Sequence, residues 1–485
     1  MYHADNLFYR PFPHPNACCA MRFLQPLFSR LTTATATATE TNLPSSSPSH
    51  LHFSRSLFSS EQCLGDPAAE AAARLESCAD PEDLAQTHAH VLRAHLLRAP
   101  FHWNALMRCY LRLVRPRTSL LLYAQMSRSG TVPDCYTLPL ALKAVALLFA
   151  LPAGGQLHCT AVKLGLENHE FTESSLISLY AKAGVFDSAM KVFDQNAQRK
   201  LGSWNAVISG LAQGGRLAEA VDMFVELRRS GLVPDDVTMV SVASACGGLG
   251  DLGLAQQVHK CLLQARRSGR LDVMLSNSLV DMYAKCGRTD LAYKVFSRMA
   301  SRDVSSWTAM IMGLAMHGEE VAALDFFRVM QQEGVRANQV TFVGLLSACA
   351  HGGLVEEGMN YLEAMAEEYS LEPTVAHYGC VVDMLGRVGR LVEARAVVER
   401  MPMDANVVIW GTLLGACEKH VNVEVGEWAA RNLLELEPWN DGVYVVLSNI
   451  YAAAKKWGEV ERVRRLMWER RVAKAPGYSS APVSA

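Results

Sequence analysis

Apolar residues between Leu201 and Asp235 fall at helical spacing twice over. Trp204, Val207, Ile208 and Leu211 line one face of a first helix, which Gly214-Gly215 breaks. Leu217, Ala220, Val221, Phe224 and Leu227 line one face of a second, which Gly231 and Pro234 end. Neither helix can bury its own stripe, so a neighbour must cover it. No run carries the alternation of an amphipathic strand. The pattern predicts an antiparallel helix pair.

The same pattern returns along the chain. Trp103, Trp204, Trp307 and Trp410 stand at near-constant intervals and open similar phrases, among them Trp103-Asn104-Ala105-Leu106 and Trp204-Asn205-Ala206-Val207. Ser175 to Gly184 (SLISLYAKAG) returns as Ser278 to Gly287 (SLVDMYAKCG), and Ser244-Ala245-Cys246 returns as Ser347-Ala348-Cys349. Each long period divides into three helix pairs, at 100–134, 135–169 and 170–200, then 201–235, 236–272 and 273–303, then 304–338, 339–374 and 375–406. Residues 407–440 and 441–474 form two divergent units, and 61–99 hold an incomplete one. Large regular repeats of this kind make stacked modules rather than one globular core. The expected fold is all-α, a right-handed α-solenoid superhelix of helix-turn-helix repeats.

Composition narrows what such a stack could do. A net charge of −2 over 485 residues argues against a non-specific polyanion binder. The longest apolar candidate, Leu138 to Leu151, is interrupted by Lys143 and fits a buried helix rather than membrane insertion. The 13 cysteines include no Cys-x-x-Cys and mostly lie inside helical phrases, which suits small buried hydrophobes in a reducing compartment. His88, His158 and His259 recur in a Gln-x-His phrase, which favours packing over a unique ligand. Residues 1–60 are of another kind. They carry arginines, no lysine, only Asp5 and Glu40 as acids, and a Thr-Ala run from Thr32 to Thr39. That is the composition of an organellar transit peptide, for the mitochondrion first and the plastid as the alternative. Residues 475–485 read as a tail.

The Trp-Asn-Ala, Tyr-Ala-Lys-Cys-Gly and Ser-Ala-Cys-x-x-Gly-Gly phrases, with the Gly-Leu-Val-Pro-Asp ending at 231–235, resemble the pentatricopeptide repeat family of plants. The rotation of unit lengths resembles its PLS subclass. The segment from Val407 through Glu437-Pro438-Trp439-Asn440 and Leu447-Ser448-Asn449-Ile450-Tyr451 resembles that subclass's C-terminal extension motifs. The resemblance implies a superhelix that binds single-stranded organellar RNA at about one base per repeat. It also implies membership of the group associated with cytidine-to-uridine editing. Repeats of this type read bases through two or three side chains each.

By that resemblance the fifth residue of a unit meets a base and the last residue orients it. An Asn at the fifth place offers both a donor and an acceptor to a Watson–Crick edge. Asn104 pairs with Asp134, Asn205 with Asp235 and Asn277 with Asp303, a combination resembling uracil readers. Thr308 with Asn338 resembles an adenine reader, and Thr with Asp a guanine reader. Phe101, Phe171, Val237, Met274 and Val340, at second places, would space the bases. Ser174 with Lys200 matches no pair, Gly379 with Asn406 is uninformative, and Gly202 and Ser305 supply no wedge. Pro139, Val240 and Val343 leave the middle units as spacers.

The chain holds little that suggests chemistry of its own. A zinc deaminase needs His-x-Glu followed by Pro-Cys-x-x-Cys. His317-Gly318-Glu319 matches the first half by letter, no Cys-x-x-Cys follows, and the phrase falls at the break between two helices. The chain stops shortly after Pro476-Gly477-Tyr478-Ser479, where relatives with a DYW deaminase domain continue. No nucleotide-binding loop or Ser-His-Asp arrangement stands out. The expectation is therefore a non-enzyme without cofactor or metal. It would be an editing specificity factor that recruits a deaminase or editing-complex proteins in trans through 407–474. The alternatives are a splicing, stability or translation factor, and a tetratricopeptide-like protein scaffold. The Asn–Asp register argues against the scaffold.

Overall fold

The computed structural model describes residues 73–473, save 76, 79, 95, 98 and 266–270. The leader at 1–60 and the tail at 475–485 lie outside the described residues. The chain forms two compact bodies, divided between Gly215 and Arg216. The first contains α1 (Pro81–Arg93), α2 (Pro100–Arg112), α3 (Pro116–Arg128), α4 (Thr137–Leu147), α5 (Leu151–Lys163), α6 (Glu170–Lys182), α7 (Phe186–Gln195) and α8 (Leu201–Gln213). The second opens with α9 (Leu217–Arg229), α10 (Asp236–Leu249), α11 (Leu252–Ala265), α12 (Val273–Lys285), α13 (Thr289–Ser297), α14 (Val304–Met316), α15 (Glu320–Gln332) and α16 (Gln339–Gly352). It continues with α17 (Val355–Glu367), α18 (Val375–Arg387), α19 (Leu391–Arg400), α20 (Val407–His420), α21 (Val423–Leu436), α22 (Asp441–Ala453) and α23 (Trp457–Glu469). The described residues contain no strand. The all-α expectation is met, and each body is a solenoid of helical hairpins.

Within each body the first helices of successive units pack directly on one another: α2 on α4, α4 on α6 and α6 on α8 in one, and α10 on α12 through to α20 on α22 in the other. From α3 to α7 and from α11 to α21, each second helix lies against its own first helix and the next. The repeated phrases explain this close stacking. A Cβ added to Gly210 would lie 2.5 Å from the Cβ of Ala181, and one added to Gly313 would lie 2.5 Å from that of Ala284. So the Tyr-Ala-Lys alanine of one unit meets a glycine of the next, and the backbones approach to a distance that larger residues forbid. The turn inside each of these units needs a left-handed residue, which Gly287 (φ 74°) and Gly318 (φ 72°) supply.

The four period-marking tryptophans are buried. Trp204 stands edge-on to Phe193 at 4.7 Å, and Trp307 stands edge-on to Phe296 at 4.9 Å. An arginine lies over each Phe ring, Arg199 at 4.4 Å and Arg302 at 4.8 Å, and Arg199 is also 5.9 Å from the Trp204 ring. A Trp–Phe–Arg cluster thus joins the last unit of one triplet to the first unit of the next. Trp410 packs on Trp428 instead, at 4.7 Å, so the extension is sealed differently.

The recurrent histidines are packing residues, as their repetition suggested. His88, His158 and His259 each place Nδ1 about 3 Å from a tyrosine hydroxyl, on Tyr110 (3.0 Å), Tyr180 (2.9 Å) and Tyr283 (2.9 Å). Burial lowers the pKa of all three, and of His377, below the ordinary value near 6.5. The fold therefore favours their neutral forms. Below about pH 6.5 the unfolded chain takes up protons that the folded chain resists, so stability is full above that pH and falls as pH drops through the folded values. Chemical denaturation between pH 8 and pH 5 is expected to show a level midpoint down to about 6.5 and a decline below it. His158→Gln with His259→Gln should flatten that decline, and an unchanged slope would assign it to other groups.

Candidate nucleic-acid interface

The end of one unit and the start of the next share a single network. Asp134 closes the turn that leads into α4, its carboxylate accepting the backbone N–H groups of Tyr136 (2.9 Å) and Thr137 (2.8 Å). An Asp suits this place, because its short carboxylate reaches the N–H groups two and three residues on. The same carboxylate accepts from the side-chain amide of Asn104 on α2, at 3.0 and 3.2 Å. Thr137 Oγ1 lies 2.7 Å from Asn104 Oδ1 and 2.9 Å from Asp134 Oδ1. Thr137 is fully buried, so its hydroxyl must find partners here. A reversed Asn104 amide would set its oxygen against the carboxylate, so the network dictates the orientation.

The arrangement repeats at Asn277, which donates to Asp303 at 3.1 Å while its Oδ1 accepts from Ser306 Oγ at 2.6 Å. Asp303 caps α14 by accepting the Ser306 N–H at 2.9 Å. Burial would raise the pKa of Asp134, but the Thr137, Asn104 and Tyr136 hydrogen bonds outweigh it and hold the carboxyl below its ordinary value. Burial acts likewise on Asp303, where the bonds from Ser306, Asn277 and Ser305 again prevail. Both carboxylates are therefore charged acceptors at neutral pH. The network thus fixes the orientation of both amides, with Asn277 half-buried and Asn104 buried at 5 % exposure.

The remaining expected pairs differ in detail. Thr308 does not meet Asn338 directly. Its Oγ1 lies 2.8 Å from Thr341 Oγ1, which donates to Asn338 Oδ1 at 3.0 Å. Asn338 itself caps α16 through the Thr341 N–H at 2.9 Å. Asn205 lies on α8 in the first body, while Asp235 caps α10 in the second by accepting the Thr238 N–H at 2.8 Å. Ser174 and Lys200 do not pair. Ser174 Oγ donates to the Glu170 carbonyl at 2.8 Å, and Lys200 Nζ sits 3.2 Å from the Glu170 carboxylate. Asn406 caps α20 through the Ile409 N–H at 3.0 Å.

Sequence reasoning from the fifth and last places missed the third. Thr137, Ser306 and Thr341 each tie the start of their own helix to the fifth residue of the preceding unit. The signal was available as an Asp or Asn followed three residues later by Ser or Thr, a pattern that marks helix starts. The second places are apolar and exposed at Phe101 (52 %), Val237 (50 %), Met274 (47 %) and Val340 (50 %), whereas Phe171 is half-buried. Tyr136 and Val408 occupy the same place, are also exposed, and belong with them.

Nothing in the network resembles a metal or thiol centre. Among the described residues no group of three or more His, Cys, Asp or Glu side chains could hold a metal ion. His317 turns its Nε2 to the Ala284 carbonyl, and Glu319 accepts from Thr289 Oγ1 at 2.6 Å, so the His-Gly-Glu phrase serves a helix break. Burial raises the thiols of Cys246, Cys349 and Cys417 to about 12 and that of Cys380 to about 11, which leaves them protonated. Among the described residues no helix is long and apolar enough to cross a membrane.

Fold and site together define a helical-hairpin repeat protein, two of whose unit junctions hold an oriented amide. Residues 199–247 and 302–351 match the PPR repeat family, and 101–131, 174–195, 275–304, 340–369 and 376–404 match the PPR repeat. Residues 420–481 match the E motif. A pentatricopeptide repeat-containing protein of Arabidopsis thaliana, named as mitochondrial, is 52 % identical over 410 residues, covering 84 % of this chain and 88 % of that protein. A second from the same plant, named as chloroplastic/mitochondrial, is 42 % identical over 79 % of this chain, which spans 62 % of that relative's length. The crystal structure of the pentatricopeptide repeat protein PPR10 with an 18-nt psaJ RNA element is similar at a TM-score of 0.53 and 18 % identity, over 80 % of this chain and 64 % of that one. That likeness concerns the fold. The chain belongs to the pentatricopeptide repeat family.

Proposed function

We propose that the protein is a sequence-specific single-stranded RNA-binding factor of an organelle that specifies sites of cytidine-to-uridine editing, without catalysing the reaction itself. The observation that carries the RNA reading is the pair of junctions at Asn104–Asp134 and Asn277–Asp303, where a charged carboxylate fixes the orientation of an amide. A protein-binding groove has no need of that register. Thr308 with Asn338 through Thr341 extends the readout, and Asn205 and Asp235 hold the fifth and last places of their own unit. Parallel binding, with the N-terminal unit toward the RNA 5′ end, puts pyrimidines under units 100–134, 201–235 and 273–303 and adenine under 304–338. The E motif at 420–481 supports the editing role, and a deaminase or other editing protein would dock on 407–474. The arginine-rich leader and the mitochondrial name of the 52 % identical relative favour the mitochondrion, with the plastid as the alternative.

A base-preference experiment tests the reading. Asn277→Thr keeps Asp303 and should move the preferred base under unit 273–303 from uracil toward guanine. The affinity lost on uracil should be about 1–3 kcal/mol, the scale of one mismatched base contact. An unchanged preference in a selection from randomised RNA would reduce Asn277 to a packing residue.

A further inference from the structure

We infer that Tyr136 and Phe171 close the slot between units 135–169 and 170–200, so that bound RNA crosses this part of the stack without inserting a base there. The inference rests on the RNA reading proposed above. Both residues occupy the second place of their units, where an apolar side chain would separate neighbouring bases. Their ring centroids are 5.8 Å apart, with the planes inclined at 34°. A flat base held between two rings needs contact of 3.5–4.0 Å on each side, hence roughly 7 Å between the ring planes. The observed gap falls short even measured centre to centre, and the tilt narrows it further on one side. The His169 ring packs against Phe171 at 5.6 Å and supports it from its own side.

The neighbouring polar residues agree with a closed slot. Pro139, at the fifth place of unit 135–169, has no side-chain donor or acceptor. Ser174 Oγ is committed to the Glu170 carbonyl, and Lys200 is engaged with the Glu170 carboxylate. No such ring pair can form at the second places farther along, which hold Gly202, Val237, Met274, Ser305 and Val340. The two aromatic rings therefore stack on each other where a base would otherwise stack on them. The recognised RNA is then shorter than the number of units suggests, with the break between the base read by Asn104 and the base read by Asn205.

The test uses the full chain and two RNAs of otherwise identical sequence. One has a nucleotide for every unit, and the other lacks the nucleotide opposite unit 135–169. The wild type is expected to bind the shortened RNA about tenfold more tightly, the scale of one base–aromatic stacking contact. Tyr136→Val with Phe171→Val gives this slot the aliphatic pair found elsewhere and should reverse the order. In the longer RNA, 2-aminopurine at the same nucleotide should be bright on the wild type and quenched on the double variant. Absence of a preference for the shortened RNA, or a quenched probe on the wild type, overturns the closed slot and leaves base reading intact. Equal binding of both RNAs and of a scrambled control overturns the RNA reading and this inference with it. The wild-type comparison decides the matter even where the double variant does not fold.

Discussion

Trp307→Ala is expected to destabilise the protein by about 3–5 kcal/mol, the range for truncating a large buried aromatic side chain. Trp307 is 4 % exposed and edge-on to Phe296, with Phe326 on another side at 6.1 Å. Its removal leaves a cavity whose walls are rigid rings, which collapse poorly. It also removes one member of the cluster in which Arg302 lies over Phe296. In a repeat stack each unit contacts only its neighbours, so the loss concentrates at one junction. Amide exchange should accelerate first in α13, α14 and α15, ahead of the rest of the second body. A loss under about 1 kcal/mol would mean that the Trp phrase marks the period without holding the junction.

Much of this was legible in the sequence because repetition acts as an internal control. A helix pair seen once is ambiguous, but one that recurs with Trp, Tyr-Ala-Lys and Gly at fixed offsets has its packing partners written beside it. Gly313 against Ala284 and Trp307 against Phe296 are such partners. The histidines were legible as packing residues, although nothing in the sequence pointed to tyrosine hydroxyls as their partners. The third-place hydroxyls went unnoticed because their work is divided. Thr137 looks like an ordinary cap residue until Asn104, 33 positions earlier, is found against it. The intervening Thr341 between Thr308 and Asn338 has the same origin. Tyr136 was passed over because its unit has Pro139 at the fifth place, although the second place is set by geometry rather than by reading.

On the proposed editing role, removing aromatic side chains from the surface of the extension should abolish editing of the target cytidine while leaving RNA affinity within about twofold. The reason lies in where the tryptophans are. Four of the eight are buried at the period positions, yet Trp439, Trp457 and Trp468 are 72 %, 64 % and 79 % exposed. Trp457 and Trp468 are eleven residues apart on α23, which is three turns, so they share one face about 16 Å apart. Arg470 donates to the Tyr444 hydroxyl at 3.0 Å, and Tyr444 donates to the Pro438 carbonyl at 2.9 Å, which brings the end of α23 to the loop carrying Trp439. Exposed Trp beside Arg is the composition of interface anchors, and large apolar groups left in water need a partner to justify them. The proposed reading residue is absent here, since Trp410-Gly411 stands where earlier units have Trp-Asn. Truncation after Asn406 would strip α20 from the apolar face of α18, so a loss of function there could be a loss of fold. Trp457→Ala with Trp468→Ala avoids that difficulty, because neither side chain supports the core. The variant should be measured for RNA affinity in vitro at two salt concentrations and for editing extent in a complemented mutant plant. Lost affinity would make this face an RNA contact, and a salt dependence that flattens when Arg464, Arg465, Arg470 and Arg471 are removed would make it a phosphate clamp. Preserved editing would remove the docking role from it.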